Sequence, residues 1–127
     1  MLIKDYFQEV ESRIALFPEV VEYQVTKDAR SLHIGIIEGV VIFQDDSFIE
    51  FVDVKEPVEV YRYSYHYQDH DGSLIFRYDM APHHKELKTF PHHKHLPDNE
   101  VITASEPSLT NVLDEIDDLA CLKGNRL

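Results

Sequence analysis

Tyrosines alternate with polar residues in VEVYRYSYHYQ at positions 58–68, and this pattern constrains the fold more than any other in the chain. Because successive side chains of a β-strand point to opposite faces, the stretch predicts a strand with one aromatic and one polar face. The aromatic face carries Tyr61, Tyr63, Tyr65 and Tyr67, and the polar face carries Arg62, Ser64 and His66. Core packing is the favoured interpretation of the tyrosine row, and a platform for stacking a ligand is the alternative.

A reversal of the chain follows at Asp69-His70-Asp71-Gly72 and leads into SLIFRYDM at 73–80. If the four loop residues close a regular hairpin, Tyr65 lies opposite Phe76 in an aromatic layer. On the polar face the same register places Arg62 opposite Asp79 and Ser64 opposite Arg77. We interpret the Arg62–Asp79 pair first as a cross-strand salt bridge and second as part of a catalytic site.

The first half of the chain predicts a helix followed by strands. Apolar residues recur at helical spacing from Leu2 to Phe17, and Pro18 ends the pattern. Alternating or apolar segments then predict an antiparallel meander of about five strands, at 20–25, 32–43, 47–54, 58–68 and 73–80. The sequence KDAR at 27–30 resembles a turn between the first two strands.

The end of the chain predicts a short strand and a second helix. The apolar segment 101–104 fits a small additional strand, and Ser105-Glu106-Pro107 signals the start of a helix that ends near Lys123-Gly124. The helix carries one apolar stripe: Leu109, Val112, Leu113, Ile116, Leu119 and Ala120. With 127 residues, the chain is expected to form a single α+β domain over 1–127, with the C-terminal helix packed on the sheet.

The net charge of −12 limits the classes of partner. A strongly acidic protein is repelled by nucleic acid and by anionic membranes, so non-specific DNA binding and a membrane partner are not expected. The N-terminus also lacks the uninterrupted apolar core of a signal peptide, so we expect a cytoplasmic location. The segment APHHKELKTFPHHKH at 81–95 is basic although the chain as a whole is acidic, because it contains three lysines and one glutamate. Those lysines, Lys85, Lys88 and Lys94, are candidate phosphate-binding residues together with His66.

The same segment holds five of the eight histidines and predicts a stiff His-rich loop, since Pro82 and Pro91 restrict its backbone. Three interpretations stay open. The first is a metal site for Zn²⁺ or another divalent ion, with His92, His93 and His95 as candidate ligands. In an extended chain His93 and His95 share a face, whereas the adjacent His83 and His84 point apart.

The second interpretation is a metal-free ribonuclease-like site, in which histidine transfers protons and arginine or lysine stabilises charge at phosphorus. Its candidate catalytic residues are His83, His84, His92, His93, Arg62, Arg77 and Asp79. The third interpretation is a polar loop without a site.

The residues from 61 to 119, with YRYSYHYQDHDG, FRYD, PHHKELKTFPHHKH and EPSLTNVLDEIDDL, resemble the TumE family of toxins from prokaryotic type II toxin–antitoxin systems. The resemblance implies a prokaryotic source and an antitoxin partner with a helix-turn-helix domain, but it supplies no catalytic residues. Cytosolic toxins commonly act on RNA or translation, so RNA is the implied target by analogy. A non-catalytic metal-binding or protein-interaction module is the alternative, and a homo-oligomer is also open.

Overall fold

The computed structural model describes residues 1–56 and 62–122 and confirms the predicted α+β class. Its elements are α1 (Ile3–Leu16), β1 (Val20–Ala29), β2 (Gly35–Phe43), β3 (Phe48–Lys55), β4 (Arg62–Gln68), β5 (Leu74–Asp79), β6 (His93–His95), β7 (Val101–Thr103) and α2 (Leu109–Leu122). The predicted positions of Tyr61 and of the helix end at Lys123-Gly124 lie outside the described residues. Neither described helix has the length and apolar character needed to cross a membrane.

The strands form one antiparallel meander in chain order from β1 to β7. The described sheet therefore has seven strands, where about five were predicted. The segment 101–104 contributes β7, as predicted, and β6 forms inside the segment that was predicted as a loop. Each β6 residue pairs on both sides, with β5 and with β7, so the short strand is held within the sheet.

Both helices cover one face of the sheet, and the core lies between that face and the helices. The tyrosine row is part of this core, as predicted, because Tyr63, Tyr65 and Tyr67 are all buried. The helices contribute a buried stripe each: Ile3, Phe7, Val10 and Ile14 from α1, and Leu109, Val112, Leu113 and Ile116 from α2. Burying one large apolar side chain stabilises a fold by about 1.5–3 kcal/mol, so this face dominates the stability. The opposite face, which we call the open face, carries the polar residues of the alternation.

The hairpin between β4 and β5 differs from the prediction by two residues. His66 pairs with Arg77 and Ser64 with Asp79, whereas the regular hairpin placed Ser64 opposite Arg77 and Arg62 opposite Asp79. Two features cause the difference: a turn one residue shorter than predicted, closed by the Asp69 N–H donating to the Ser73 carbonyl at 2.8 Å, and a register shift at the Tyr67–Gln68 step. A two-residue shift keeps every side chain on its predicted face but changes its neighbours.

Two boundaries also differ. KDAR is not a turn, because β1 continues to Ala29 and the reversal follows it, with the Arg30 N–H donating to the Ile34 carbonyl at 2.9 Å. Pro107 precedes α2 and is not in its first turn. The cap is Ser108, whose Oγ accepts the Asn111 N–H at 3.2 Å while Asn111 Oδ1 accepts the Ser108 N–H at 3.1 Å. This reciprocal pair satisfies donors that a helix start leaves free.

Candidate functional site

A row of three basic side chains crosses the open face from β4 to β6. Arg77 pairs laterally with His66 on one side and with His95 on the other, so the three side chains project from adjacent strands on the same face. Directly opposite residues of neighbouring antiparallel strands have Cβ atoms about 4.5–5.5 Å apart, which is within the reach of these side chains. Arg77 Nη2 donates to His95 Nε2 at 3.1 Å, and His95 is therefore held with a lone pair on that nitrogen.

Asp79 lies two residues after Arg77 on β5, and its carboxylate holds the row in place. Its Oδ2 accepts the Arg77 Nε–H at 2.9 Å and its Oδ1 accepts the Ala81 N–H at 3.1 Å. The same carboxylate lies 2.7 Å from His93 Nε2 and 3.3 Å from His95 Nε2. The carboxylate thus connects two strands and fixes the guanidinium, whose fork geometry makes such contacts directional.

His93 is buried, and both of its ring nitrogens face oxygen acceptors. Its Nδ1 lies 2.9 Å from the Pro91 carbonyl, which can only accept, so Nδ1 carries a hydrogen. Its Nε2 faces Asp79 Oδ1 at 2.7 Å, and a lone pair there would oppose a carboxylate lone pair. A hydrogen on one of the two atoms, or a cation in its place, removes this opposition.

The two histidines of the row share an electrostatic environment. Burial, and then the Arg77 guanidinium, lower the pKa of His66 from its ordinary value, while Glu50 opposes the shift. The same two causes in the same order lower the pKa of His95, with Asp79 opposing. Both imidazoles are therefore neutral near pH 7 and can accept a proton there.

The first Pro-His-His unit brings one of its two histidines to this cluster. The His84 ring lies 4.8 Å from the His93 ring and 5.9 Å from the His95 ring, between centroids. One ring nitrogen from each of His84, His93 and His95 lies within 4.8 Å of the others. Of the predicted ligands, His93 and His95 belong to this cluster together with His84, and His92 lies outside it. The His92 Nδ1 lies 2.8 Å from the Tyr63 hydroxyl and its ring stacks on Tyr63.

A cleft of about 750 Å³ lies on the open face beside the row. It brings together four of the predicted site residues, since its lining includes Arg62, His66, Arg77 and Asp79. The loop closes one side of the cleft with Pro82, Phe90 and Pro91. The predicted composite of hairpin and first Pro-His-His unit is therefore contiguous in space.

The remaining predicted residues lie away from the cluster. His83, Lys85 and Lys88 are exposed on the loop. Lys94 lies on the helix-covered face, where its Nζ donates to Glu115 Oε2 at 2.6 Å and sits 5.1 Å above the Tyr78 ring. Lys94 therefore does not face the cleft, which His66, another predicted phosphate-binding residue, lines. Burial and the Glu115 carboxylate raise the pKa of Tyr78 on this face, and the hydroxyl donates to Glu115 Oε1 at 2.5 Å.

His95 was not among the predicted proton-transfer residues, and His66 was predicted only as a binding residue. One signal was present, since His93 and His95 share a face in an extended chain. Their pairing with Asp79 and Arg77 depends on β6 joining the sheet edge, which three residues of sequence do not reveal.

The comparisons with known proteins place the chain in a family. The family described as Toxin TumE matches residues 8–120, which is most of the chain. No curated protein and no solved structure is significantly similar to it. The match covers all the described strands, the His-rich segment and the greater part of both helices. The chain belongs to the TumE toxin family, and its function is toxin-like, in the context of a toxin–antitoxin pair.

Proposed function

We propose that this chain cleaves RNA at the His66–Arg77–His95 row of the open face. The observation that carries the proposal is an arginine whose neighbours on the two adjacent strands are both histidines, beside a cleft of about 750 Å³ that His66 and Arg77 line. Two proton-transfer groups on either side of a fixed positive charge suit reactions in which charge develops on phosphorus.

The reaction is a transesterification that needs no water in its first step. His66 takes the proton of a ribose 2′-hydroxyl, and the 2′-oxygen attacks the adjacent phosphorus. Arg77 stabilises the negative charge on the phosphoryl oxygens, since its position is fixed by Asp79 through the 2.9 Å hydrogen bond. The bond from phosphorus to the 5′-oxygen breaks, and that oxygen takes a proton from the imidazolium form of His95. This form is the minority near pH 7, because burial and Arg77 lower the pKa of His95. The products are a 2′,3′-cyclic phosphate and a free 5′-hydroxyl.

The cleft supports binding of a short single-stranded segment. Arg62 lines it beside Arg77, and Phe90, which is 40% exposed, offers a ring on which a base can stack. The net charge of −12 opposes long nucleic acids, so the contact is confined to the one or two nucleotides that occupy the cleft. We therefore expect weak, salt-sensitive binding and cleavage in unpaired RNA.

The family suggests an antitoxin partner. The resemblance implies that this antitoxin carries a helix-turn-helix domain. It also implies that the toxin and the antitoxin act in the cytoplasm of a prokaryote. The exposed Lys85 and Lys88 form a basic border of the loop in an otherwise acidic chain. A negatively charged segment of the antitoxin is complementary to that border. An antitoxin segment bound to the basic border would also close the adjacent cleft.

The test combines growth with product analysis. The chain is expressed without its antitoxin, and the purified protein is incubated with labelled single-stranded RNA in EDTA. We expect growth arrest and 2′,3′-cyclic phosphate ends. His66→Gln should slow cleavage by about 10²–10⁴-fold, the usual contribution of one proton-transfer group. Arg77→Gln should slow it by about 10²–10³-fold, because charge stabilisation is lost.

The matched control is His70→Gln, since His70 is an exposed histidine of the β4–β5 turn, outside the cleft. It should cleave RNA at the wild-type rate. If the folded His66→Gln and Arg77→Gln variants arrest growth and cleave RNA as the control does, the proposed site is wrong. A chain that neither arrests growth nor cleaves RNA would instead be a binding module.

A further inference from the structure

We propose that His84, His93 and His95, completed by Asp79, form a transition-metal site that takes Zn²⁺. The three histidines come from two segments that are adjacent only in the folded chain, the loop after β5 and β6 itself. One nitrogen from each lies within 4.8 Å of the others, and Asp79 lies 2.7 Å from His93 and 3.3 Å from His95. The three nitrogens therefore lie around one point, and the Asp79 carboxylate lies beside two of them.

The strongest support comes from His93. Its Nδ1–H donates to the Pro91 carbonyl, so its Nε2 presents a lone pair to the centre of the cluster. This is the arrangement in which metal-binding histidines are usually oriented, with the non-ligating nitrogen bonded to a backbone carbonyl. A metal ion between His93 Nε2 and the Asp79 carboxylate resolves the opposition of their lone pairs.

The separations suit a small tetrahedral ion after a modest closure. Zn–N bonds of about 2.0–2.1 Å place tetrahedral ligand atoms about 3.3 Å apart. The His95–Asp79 separation already has this value at 3.3 Å, and the wider histidine separations of up to 4.8 Å need a closure of about 1.5 Å. The His93 Nε2–Asp79 Oδ1 separation of 2.7 Å must instead open by about 0.6 Å. The His84 side chain is 29% exposed on the loop, and its ring can make that movement and admit the ion from solvent.

The ligand types decide which metal fits. Three imidazoles and one carboxylate are preferred by Zn²⁺ and its neighbours, whereas Mg²⁺ and Ca²⁺ require more oxygen ligands. Arg77 can keep its Nε bond to Asp79 Oδ2 when the ion replaces its Nη2 contact with His95 Nε2.

The site overlaps the proposed catalytic row at one residue, His95. A metal ion on its Nε2 removes the proton donor of the leaving oxygen, so the metal-loaded protein is the inactive form. This consequence rests on the proposed function, while the binding of the metal does not.

The experiment measures metal directly. Wild-type protein stripped with EDTA is titrated with Zn²⁺ by calorimetry, and bound metal is counted by mass spectrometry after desalting. We expect one Zn²⁺ per chain and no measurable Mg²⁺ binding. His84→Gln should weaken Zn²⁺ binding by more than about 10–100-fold, the loss caused by removing a group that only orients a ligand. His83→Gln, a change at the exposed neighbouring histidine, should bind like wild type.

The outcomes separate this inference from the proposed function. No Zn²⁺ bound by wild type, or equal affinity in the His83→Gln and His84→Gln variants, overturns the metal site whatever the RNA result. One Zn²⁺ per chain with the expected His84 dependence, in a protein that never cleaves RNA, keeps the metal site and overturns the proposed function. RNA cleavage that rises with added Zn²⁺ overturns the inhibitory role.

Discussion

Replacing Asp79 with alanine removes the contacts that connect β5, β6 and the loop at the cluster. Asp79 is 13% exposed at its side chain, and its carboxylate contacts His93, Arg77 and the backbone of Ala81. After Asp79→Ala, Arg77 can turn into solvent, since its side chain is 39% exposed. His93 cannot, because its side chain is 2% exposed and its Nε2 would face a cavity.

The expected loss of stability follows from the exposed fractions of the Arg77 and His93 side chains. Breaking a buried charged pair costs about 3–5 kcal/mol, and hydrogen bonds to charged groups contribute about 1.5–3 kcal/mol each. Because Arg77 recovers solvation, we expect a loss of about 2–4 kcal/mol in the free energy of unfolding. An unfolding entropy of about 2.1 cal/mol/K per residue converts this to a fall in Tm of about 8–15 °C for 127 residues. Asp79→Asn should lose roughly half as much, since its amide can donate to the His93 Nε2 lone pair.

The assay is thermal and urea unfolding of metal-free protein, followed by circular dichroism. The control is Asp118→Ala, which removes an exposed carboxylate from α2 and should change stability by less than about 0.5 kcal/mol. If Asp79→Ala changes stability no more than Asp118→Ala, the cluster does not hold β6 to β5 and the account of Asp79 is refuted.

Three further expectations concern charge, protonation and packing. If Arg62 and Arg77 make the two phosphate contacts, RNA affinity should fall with a log–log salt slope of about −1.4, and a slope near zero in a filter-binding series would contradict them. The His66 ring, followed by NMR, should titrate below 6.5, and Arg77→Gln should raise its pKa toward 6.5. Because the folded pKa of His66 lies below its unfolded value, its contribution to stability is lost as pH falls below 6.5, and His66→Gln should flatten that loss in urea unfolding. Gly39→Ala should lower stability by about 1–3 kcal/mol in thermal unfolding, because a Cβ there would meet the Gln24 carbonyl oxygen at 2.2 Å; unchanged stability would contradict the close packing of β1 on β2.

Periodicity in the sequence predicted the faces of the sheet correctly, but it did not predict the register. The alternation of Tyr63 and Tyr65 with Ser64 and His66 depends on the pleat alone, and their burial agrees with it. Register depends on the turn between β4 and β5, which closes between Asp69 and Ser73, and on the register shift at the Tyr67–Gln68 step. The alternation of side chains specifies neither feature. The two-residue difference is what brings His66, and not Ser64, beside Arg77.

The site depended on a contact that the sequence shows only in part. His93 and His95 were expected to share a face, yet a three-residue strand has too little pattern to predict its pairing with β5. The exchange of His92 for His84 in the cluster has a similar origin. It follows from the path of the loop, which is set by contacts such as His92 with Tyr63 across the hairpin.

The most direct test of RNA cleavage at the His66–Arg77–His95 row uses an oligonucleotide that is DNA except for one ribonucleotide. Purified wild-type protein in EDTA should cut this strand only at the 3′ side of the ribonucleotide, leaving a 2′,3′-cyclic phosphate. His66→Gln and His95→Gln should each reduce that cut by about 10²–10⁴-fold. Cleavage of the all-DNA strand at the same position, or no cleavage of the chimeric strand by a folded protein that arrests growth, would contradict proton transfer at the His66–Arg77–His95 row.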